Sequence, residues 1–298
     1  MIRFLKYSKF YLAFSFILIF LSIVFLFLWG LKFGVDFTGG SLLEIEFKEK
    51  RPAVSELRSK IKEELKTEFS LQEIGEKGVI IRAKNISEEQ HQKILETLGG
   101  KEKIIEKRFE MIGAVVGREL KKSTLIAVIV ACVLITFYVA ISFKKVSRPV
   151  SSFYYGIAAI LALIHDVLIT TGFFALFGKV WGMEVNVPFV AAILTILGYS
   201  VSDTIIVFDK TRENLIKREG EFEKIVDISL NETFIRCLFT SFTTLLPLFA
   251  MIFLGGQTLL PFVLALTVGI IVGSYSSICI APPLLYYWYR FSYSKKEK

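Results

Sequence analysis

Four ionisable residues lie within apolar stretches long enough to cross a membrane. Asp203 lies in the fourth stretch, His165 and Asp166 in the third, and Arg236 at the start of the fifth. A charged side chain at the bilayer centre costs about 2.5–3.5 kcal/mol on insertion scales. Such a group is therefore paired or used to carry ions. A carboxylate that alternates between its charged and neutral forms can relay a proton, and neighbouring hydroxyls can extend the path.

Two polar stripes with four-residue spacing support an ion path. They comprise Thr195, Tyr199 and Asp203 on one helix, and Arg236, Thr240 and Thr244 on the next. Asp203 is five residues from the predicted exit at Phe208, about 7–8 Å along a helix. Arg236 lies near the same depth, so we predict that it partners Asp203. The sequence equally allows a static ion pair that fixes helix register.

The third stretch adds a second candidate carboxylate. Asp166 and Thr170 form a shorter stripe, deeper in the membrane, and we predict that Asp166 belongs to the relay. His165 points about 100° away from Asp166 on a helix, so it is either a relay group or a packing residue.

The distribution of apolar and basic residues predicts six membrane-spanning helices. Of the 298 residues, 53% are hydrophobic. Basic residues concentrate in the N-terminal segment, in the loops 144–149 and 209–230 and in the tail, which predicts that both termini are cytoplasmic. This pattern explains the net charge of +8 without nucleic acid as a partner. The predicted organisation is a cytoplasmic N-terminus (1–10), a first, uncleaved span (11–31), an extracytoplasmic domain (32–122), spans two to six (123–289) and a cytoplasmic tail (290–298).

The polar segment 32–122 predicts a small α+β domain. Strands are expected at 41–47, 69–74, 79–83 and 104–112, with helices at about 52–67 and 87–98. Ser87 and Gln90 have the spacing of a capping box at the start of the second helix. The order βαββαβ is that of a ferredoxin-like domain. It contains no cluster of catalytic residues, so we interpret it as a binding or lever module.

Two pairs of glycines, four residues apart, predict close helix packing: Gly113 with Gly117, and Gly269 with Gly273.

The sequence disfavours metal binding and enzymatic catalysis. Two histidines are too few for a histidine-built metal site, and the three cysteines all lie in apolar stretches. No phosphate-binding glycine loop is present, and the residues before Asp203 lack the Gly-x-Gly-Asp pattern of intramembrane aspartyl proteases. We therefore expect neither an enzyme nor a bound cofactor or metal.

Several motifs together resemble the SecF family of protein-export membrane subunits. The matching stretches are 34–40 (Gly-Val-Asp-Phe-Thr-Gly-Gly), 116–120, 165–166, 198–204 with 208–209 and 212–214, 231–233 with 236, 240–241 and 243–244, and 269–281. The family commonly has Asn at the position of Ser202 and Thr or a similar residue at that of Cys237. Both replacements are small and leave the neighbouring carboxylate and arginine in place.

The resemblance implies an RND-like half of six helices that pairs with SecD. It implies that proton or sodium flow across the cytoplasmic (inner) membrane drives preproteins outward from the SecYEG channel. In that scheme Asp203 resembles the essential ion-carrying aspartate and Arg236 its partner. Two alternatives remain open from the residues: an RND-type small-molecule efflux component, and a non-conducting scaffold that only assembles the translocon.

Overall fold

The structure, a computed structural model, describes residues 1–65, 67–142, 150–256 and 259–294. The predicted basic loop 144–149 and the lysine residues of the tail after 294 lie outside the described residues. Within the described part, six helices are long and apolar enough to cross a membrane, as predicted. After a short 3-10 helix at Leu5–Tyr7, they are α1 (Ser8–Trp29), α6 (Ala114–Ser142), α7 (Ser152–Trp181), α8 (Val187–Lys217), α9 (Phe222–Leu254) and a last span built from α10 (Leu260–Cys279) and α11 (Ala281–Ser294).

Several helices extend beyond the apolar stretches. α8 continues past Asp209 to Lys217, and α9 begins at Phe222, twelve residues before the predicted start at 234. Hydropathy marks the part of a helix that suits lipid, whereas the helix itself continues wherever its polar face is stabilised. On α8, Glu213 pairs with Lys210 (3.0 Å) and Lys217 (2.7 Å), at helical spacings that support the last turns. Arg236 therefore lies well inside α9 rather than in its first turn.

The last span is interrupted between α10 and α11. α10 ends at Cys279, and Pro282 and Pro283 follow at the start of α11. Proline has no backbone N–H, so Pro282 and Pro283 cannot donate to the carbonyls four residues earlier, those of Ile278 and Cys279, and the helix is interrupted here. Proline is tolerated in the first turn of the new helix, where N–H groups have no intrahelical partner.

The polar segment folds as a ferredoxin-like sheet with helices, which confirms the predicted fold class. The elements are α2 (Val35–Thr38), β1 (Gly40–Phe47), α3 (Val54–Leu65), β2 (Phe69–Ile74), β3 (Gly78–Ala83), α4 (Glu88–Thr97), α5 (Gly100–Lys103) and β4 (Ile104–Ile112). The sheet is antiparallel with the order β2-β3-β1-β4. The short helices α2 and α5 were not predicted.

The compact unit that holds this sheet contains residues 32–126 together with a distant segment, 184–187. Its core is formed by fully buried aliphatic side chains from the sheet and the two longer helices, namely Leu43, Ile45, Leu57, Ile61, Ile81 and Ile94. The segment 184–187 joins it from between α7 and α8. The sequence contained no signal for that contact, and the boundary at residue 122 remains a prediction.

The second unit contains residues 1–31, 127–183 and 188–298. In it, α1 packs along α7, and α10 packs against both α7 and α9. α1 buries only three residues, Ser8, Ser15 and Ser22, which recur every seven positions and so form one narrow stripe. A Cβ atom at Gly172 of α7 would overlap Ser22, so this glycine allows the two helices to approach.

The predicted glycine pairs differ in their surroundings. A Cβ atom at Gly269 would overlap the Ile196 side chain, and one at Gly273 would lie 3.1 Å from the Cβ of Ser200, so this pair permits close contact between α10 and α8. Gly117 lies against a turn rather than a helix, because its Cβ would be 2.9 Å from the Gly39 nitrogen. Gly113 is exposed and precedes α6, and a Cβ there would meet no atom within 4 Å. No described residue of this chain therefore packs closely against Gly113, and its packing role stays a prediction.

The capping box of α4 gives a test of local stability. The Gln90 amide donates to Ser87 Oγ (3.3 Å), and the Ser87 amide donates to Gln90 Oε1 (3.0 Å). Because an N-cap side chain contributes about 1 kcal/mol, Ser87→Ala should raise amide exchange across α4 about fivefold. Hydrogen exchange of the full chain in mild detergent measures this. Ser59→Ala, which removes an exposed hydroxyl on α3, is the matched control. Equal exchange in both variants would contradict the cap.

Candidate functional site

Asp166 lies at the centre of a buried hydrogen-bond network between three helices. It is 0% exposed. Its Oδ2 accepts hydrogen bonds from Ser200 Oγ of α8 (2.5 Å) and Ser276 Oγ of α10 (2.8 Å). Gly273, one turn before Ser276, leaves room for this approach, since a Cβ there would lie 3.6 Å from Asp166 Oδ2. The carboxylate is thus held by hydroxyls from two neighbouring helices.

His165 connects this carboxylate to α1. Its Nδ1 lies 2.8 Å from Asp166 Oδ1, and its Nε2 lies 3.1 Å from Ser15 Oγ. Ser15 donates to the Tyr275 hydroxyl (3.2 Å), which donates to the carbonyl of Tyr11 (2.9 Å). Each member of the chain therefore has a partner, which is what a polar group buried among apolar helices requires.

The directions of these hydrogen bonds determine where a proton lies. Because the Ser15 hydrogen goes to Tyr275, Ser15 must accept from His165, so Nε2 carries a hydrogen. The contact between Nδ1 and Asp166 Oδ1 then also needs one hydrogen. The pair is either imidazolium with carboxylate or neutral imidazole with carboxylic acid. In either form one hydrogen lies between His165 Nδ1 and Asp166 Oδ1.

Asp203, unlike Asp166, is buried with an oxygen that lacks a hydrogen-bond partner in the part of the chain that the structure describes. It is 2% exposed, yet its Oδ2 has no hydrogen-bond partner among the described residues. Within that part of the chain, no ion pair within 4.0 Å joins Asp203 to Arg236, which is exposed. The two side chains are thus not brought into direct contact as the polar stripes suggested.

The remaining predicted relay residues have other partners. Thr240 and Thr244 donate to carbonyls one turn back in α9, those of Arg236 and Thr240 respectively, at 2.9 Å in each case. Thr170 similarly donates to the carbonyl of Asp166 (2.8 Å). These hydroxyls therefore do not connect helices. A threonine in a membrane helix often makes this bond to its own backbone.

Tyr199 connects α8 to α9 and, through Ser241, to α10. Its hydroxyl donates to Ser241 Oγ of α9 (3.3 Å), which lies 2.5 Å from Ser274 Oγ of α10. The predicted stripe partners of Tyr199 are not involved. Around Asp203, the neighbouring Thr195 and Ser202 are exposed. Of the residues in the two predicted stripes, Thr195, Arg236 and Thr240 are exposed, Tyr199 and Thr244 are half-buried, and Asp203 is buried.

Sequence reasoning missed the residues that complete the Asp166 network. Ser200 and Ser276 appeared only within longer motifs, and Ser15 and Tyr275 were not considered. The seven-residue spacing of Ser8, Ser15 and Ser22 in an otherwise apolar stretch was a signal that could have identified Ser15.

The Asp166 network gives a stability test. Asp166→Ala removes the carboxylate that accepts the hydrogen bond of the Ser200 hydroxyl, and an unpaired buried polar group costs about 1–3 kcal/mol. Asp166→Asn is the matched control, because the amide oxygen can accept from the two serines while the amide nitrogen donates to His165. We expect a clearly lower Tm in mild detergent for the alanine variant than for the asparagine variant. Equal Tm values would argue against the network as a structural hub.

Comparison with known proteins gives consistent matches. Residues 90–291 match the family model described as protein export membrane protein SecD/SecF, C-terminal, and residues 24–50 match the SecD/SecF GG motif. The chain is 41% identical to the protein translocase subunit SecF of Thermobaculum terrenum, over 94% of this chain and 91% of that protein. It is 38% identical to the SecF of Sebaldella termitidis, over 100% and 95%.

A solved structure agrees with the sequence matches. The crystal structure of SecDF, a translocon-associated membrane protein from Thermus thermophilus, superposes with a TM-score of 0.82 at 32% identity. The match covers 96% of this chain and 38% of that longer chain. The family models, the sequence relatives and the solved structure all match SecD or SecF proteins. The chain therefore belongs to the SecF family of protein translocase subunits.

Proposed function

We propose that this chain is the SecF half of an ion-driven unit that assists Sec-dependent protein export. It pairs with SecD, acts at the SecYEG channel and helps to draw preproteins outward. Family membership supports the export role, and a relative in which SecD and SecF are named together, SecDF of Thermus thermophilus, supports SecD as the partner. The positions of the basic residues support a cytoplasmic-membrane location with both termini in the cytoplasm.

The observation that carries the ion-coupling proposal is the unpartnered carboxylate oxygen of Asp203. A buried carboxylate that lacks a hydrogen bond is expensive to keep charged. Binding a proton or a sodium ion, or approach of a positive group from SecD, relieves that cost. The free energy of the Asp203 carboxylate therefore depends on whether an ion is bound and on the position of the SecD half. This dependence is what couples an ion gradient to movement.

The exposed residues of the two predicted stripes, Thr195, Arg236 and Thr240, support a site that is shared with the partner. Arg236 on α9 supplies a positive charge near the same face, and it is exposed in this chain. The Asp166–His165 pair, whose Oδ1 and Nδ1 atoms lie 2.8 Å apart, provides a second position on a path between the halves. On this proposal the energy comes from a proton or sodium gradient, and the chain needs no cofactor and catalyses no covalent reaction.

Replacement of Asp203 by Asn tests the ion-coupling role. Asparagine retains the shape but cannot alternate in charge, so gradient-dependent export should fall to the level measured without a gradient. Export of a preprotein into vesicles, at matched amounts of the complex and with and without the gradient, measures this. Glu221→Gln, which neutralises an exposed carboxylate outside the helices, should leave export unchanged. Full gradient-dependent export by the Asp203→Asn complex would refute the proposal.

A charge exchange separates coupling from a scaffold role. In the double variant Asp203→Arg with Arg236→Asp, the two charges remain on the same pair of helices but exchange places. A scaffold that uses them only for assembly should retain full activity. An ion-coupling carboxylate would be displaced from its position, so we expect assembly with SecD without gradient-dependent export. Co-purification and the vesicle assay measure the two properties separately.

A further inference from the structure

The glycine-rich segment 34–40 holds the connection between α7 and α8. The Gly34 amide donates to the Val185 carbonyl (2.8 Å), and the Val185 amide donates to the Lys32 carbonyl (2.7 Å). Phe33 and Val185 thereby form a parallel bridge. Two chain segments about 150 residues apart are joined through their backbones, within one compact unit.

Asp36 extends this junction to the first residue of α8. It is 6% exposed, and its Oδ2 accepts a hydrogen bond from the Val187 amide at 2.8 Å. The first amides of a helix have no intrahelical acceptor. Because Pro188 has no N–H, the Val187 amide is one of few donors in this turn. Asp36 therefore acts as an N-cap supplied by a distant part of the chain, with a negative charge at the positive end of the helix.

Other contacts hold the same junction closed. Arg82 of β3 places its Nε 2.9 Å from Glu184 Oε1, although its N–H does not point along a hydrogen bond. Gly39 has a positive φ of 72°, and a Cβ there would lie 2.7 Å from the Cα of Ala114, the first residue of α6. The segment thus joins the sheet to the starts of two long helices.

We propose that Asp36 is a positioning residue that couples the extracytoplasmic domain to α8. α8 runs without interruption from Val187 through Asp203, a rise of about 24 Å. A capped first turn transmits a displacement along the helix, whereas a frayed turn absorbs it. The domain and the ion-carrying carboxylate are thereby linked through one helix. This inference rests on the proposed ion-coupling function.

Two substitutions separate capping from charge. Asp36→Asn keeps an oxygen that accepts from Val187, whereas Asp36→Ala removes it. Because an N-cap corresponds to about a fivefold change in equilibrium, we expect Asp36→Ala to lower gradient-dependent export about fivefold and to raise amide exchange in the first turn of α8. Gradient-independent export and co-purification with SecD should not change. Asp36→Asn should restore both readouts. Equal gradient-dependent export by the Ala variant and the unmodified chain would overturn the proposal.

A disulfide tests whether the junction stays closed during transport. A Cβ atom at Gly34 would lie 3.7 Å from the Asn186 Cβ, a distance that suits a disulfide, and Gly34 has an ordinary φ of −74°. In the variant Gly34→Cys with Asn186→Cys, oxidation should leave gradient-dependent export within about twofold of the reduced protein, as expected for a junction that moves as one body. The two single-cysteine variants are the controls. Inhibition on oxidation that a reductant reverses would overturn the proposal.

Asp203→Asn in the same assay distinguishes the two levels of inference. If Asp203→Asn abolishes gradient-dependent export and Asp36→Ala does not reduce it, only the coupling role of Asp36 fails. If Asp203→Asn has no effect, the ion-coupling function itself fails.

Discussion

The cost of placing polar groups among apolar helices governs the structure of the membrane unit. Without water, each hydroxyl, imidazole and carboxylate needs a partner from the protein. Asp166 meets this requirement with two serines and a histidine, and the helices that supply them are fixed relative to one another. Asp203 does not meet it. One carboxylate has all its partners within the chain and the other lacks one among the described residues, and this difference makes Asp203 the candidate switch.

The same requirement operates at the first turn of α8. There the amide of Val187 receives an acceptor from Asp36, because the helix cannot supply its own. α8 therefore begins on a group that belongs to the ferredoxin-like domain, passes the Asp166 network through Ser200 and continues past Asp203. No other element described in this chain connects these three features. On the proposed function, α8 is the element through which ion binding and domain movement are related.

Sequence-based prediction was accurate for features that depend on residues close in sequence and missed contacts between residues far apart in sequence. Strands β2 and β4 and the Ser87–Gln90 capping box were predicted correctly because they depend on neighbouring residues. The early start of α9 was missed because hydropathy reports lipid compatibility and not helix length. The Ser200 and Ser276 hydroxyls and the contact of residues 184–187 with residues 32–36 join distant parts of the chain. Serine is nearly neutral in hydropathy, so no local pattern marks such a partner.

The serine stripe of α1 has a consequence for biogenesis. During synthesis, α1 enters the bilayer before α7 exists, so its interface first faces lipid. A serine hydroxyl can bond to a carbonyl of its own helix, as Ser241 of α9 does to Cys237 at 2.9 Å, and it is small enough to leave the helix surface smooth. α1 can therefore be stable in lipid as a single helix and pack against α7 later, when Gly172 is placed opposite Ser22. An interface built from charged residues would not permit that order of assembly.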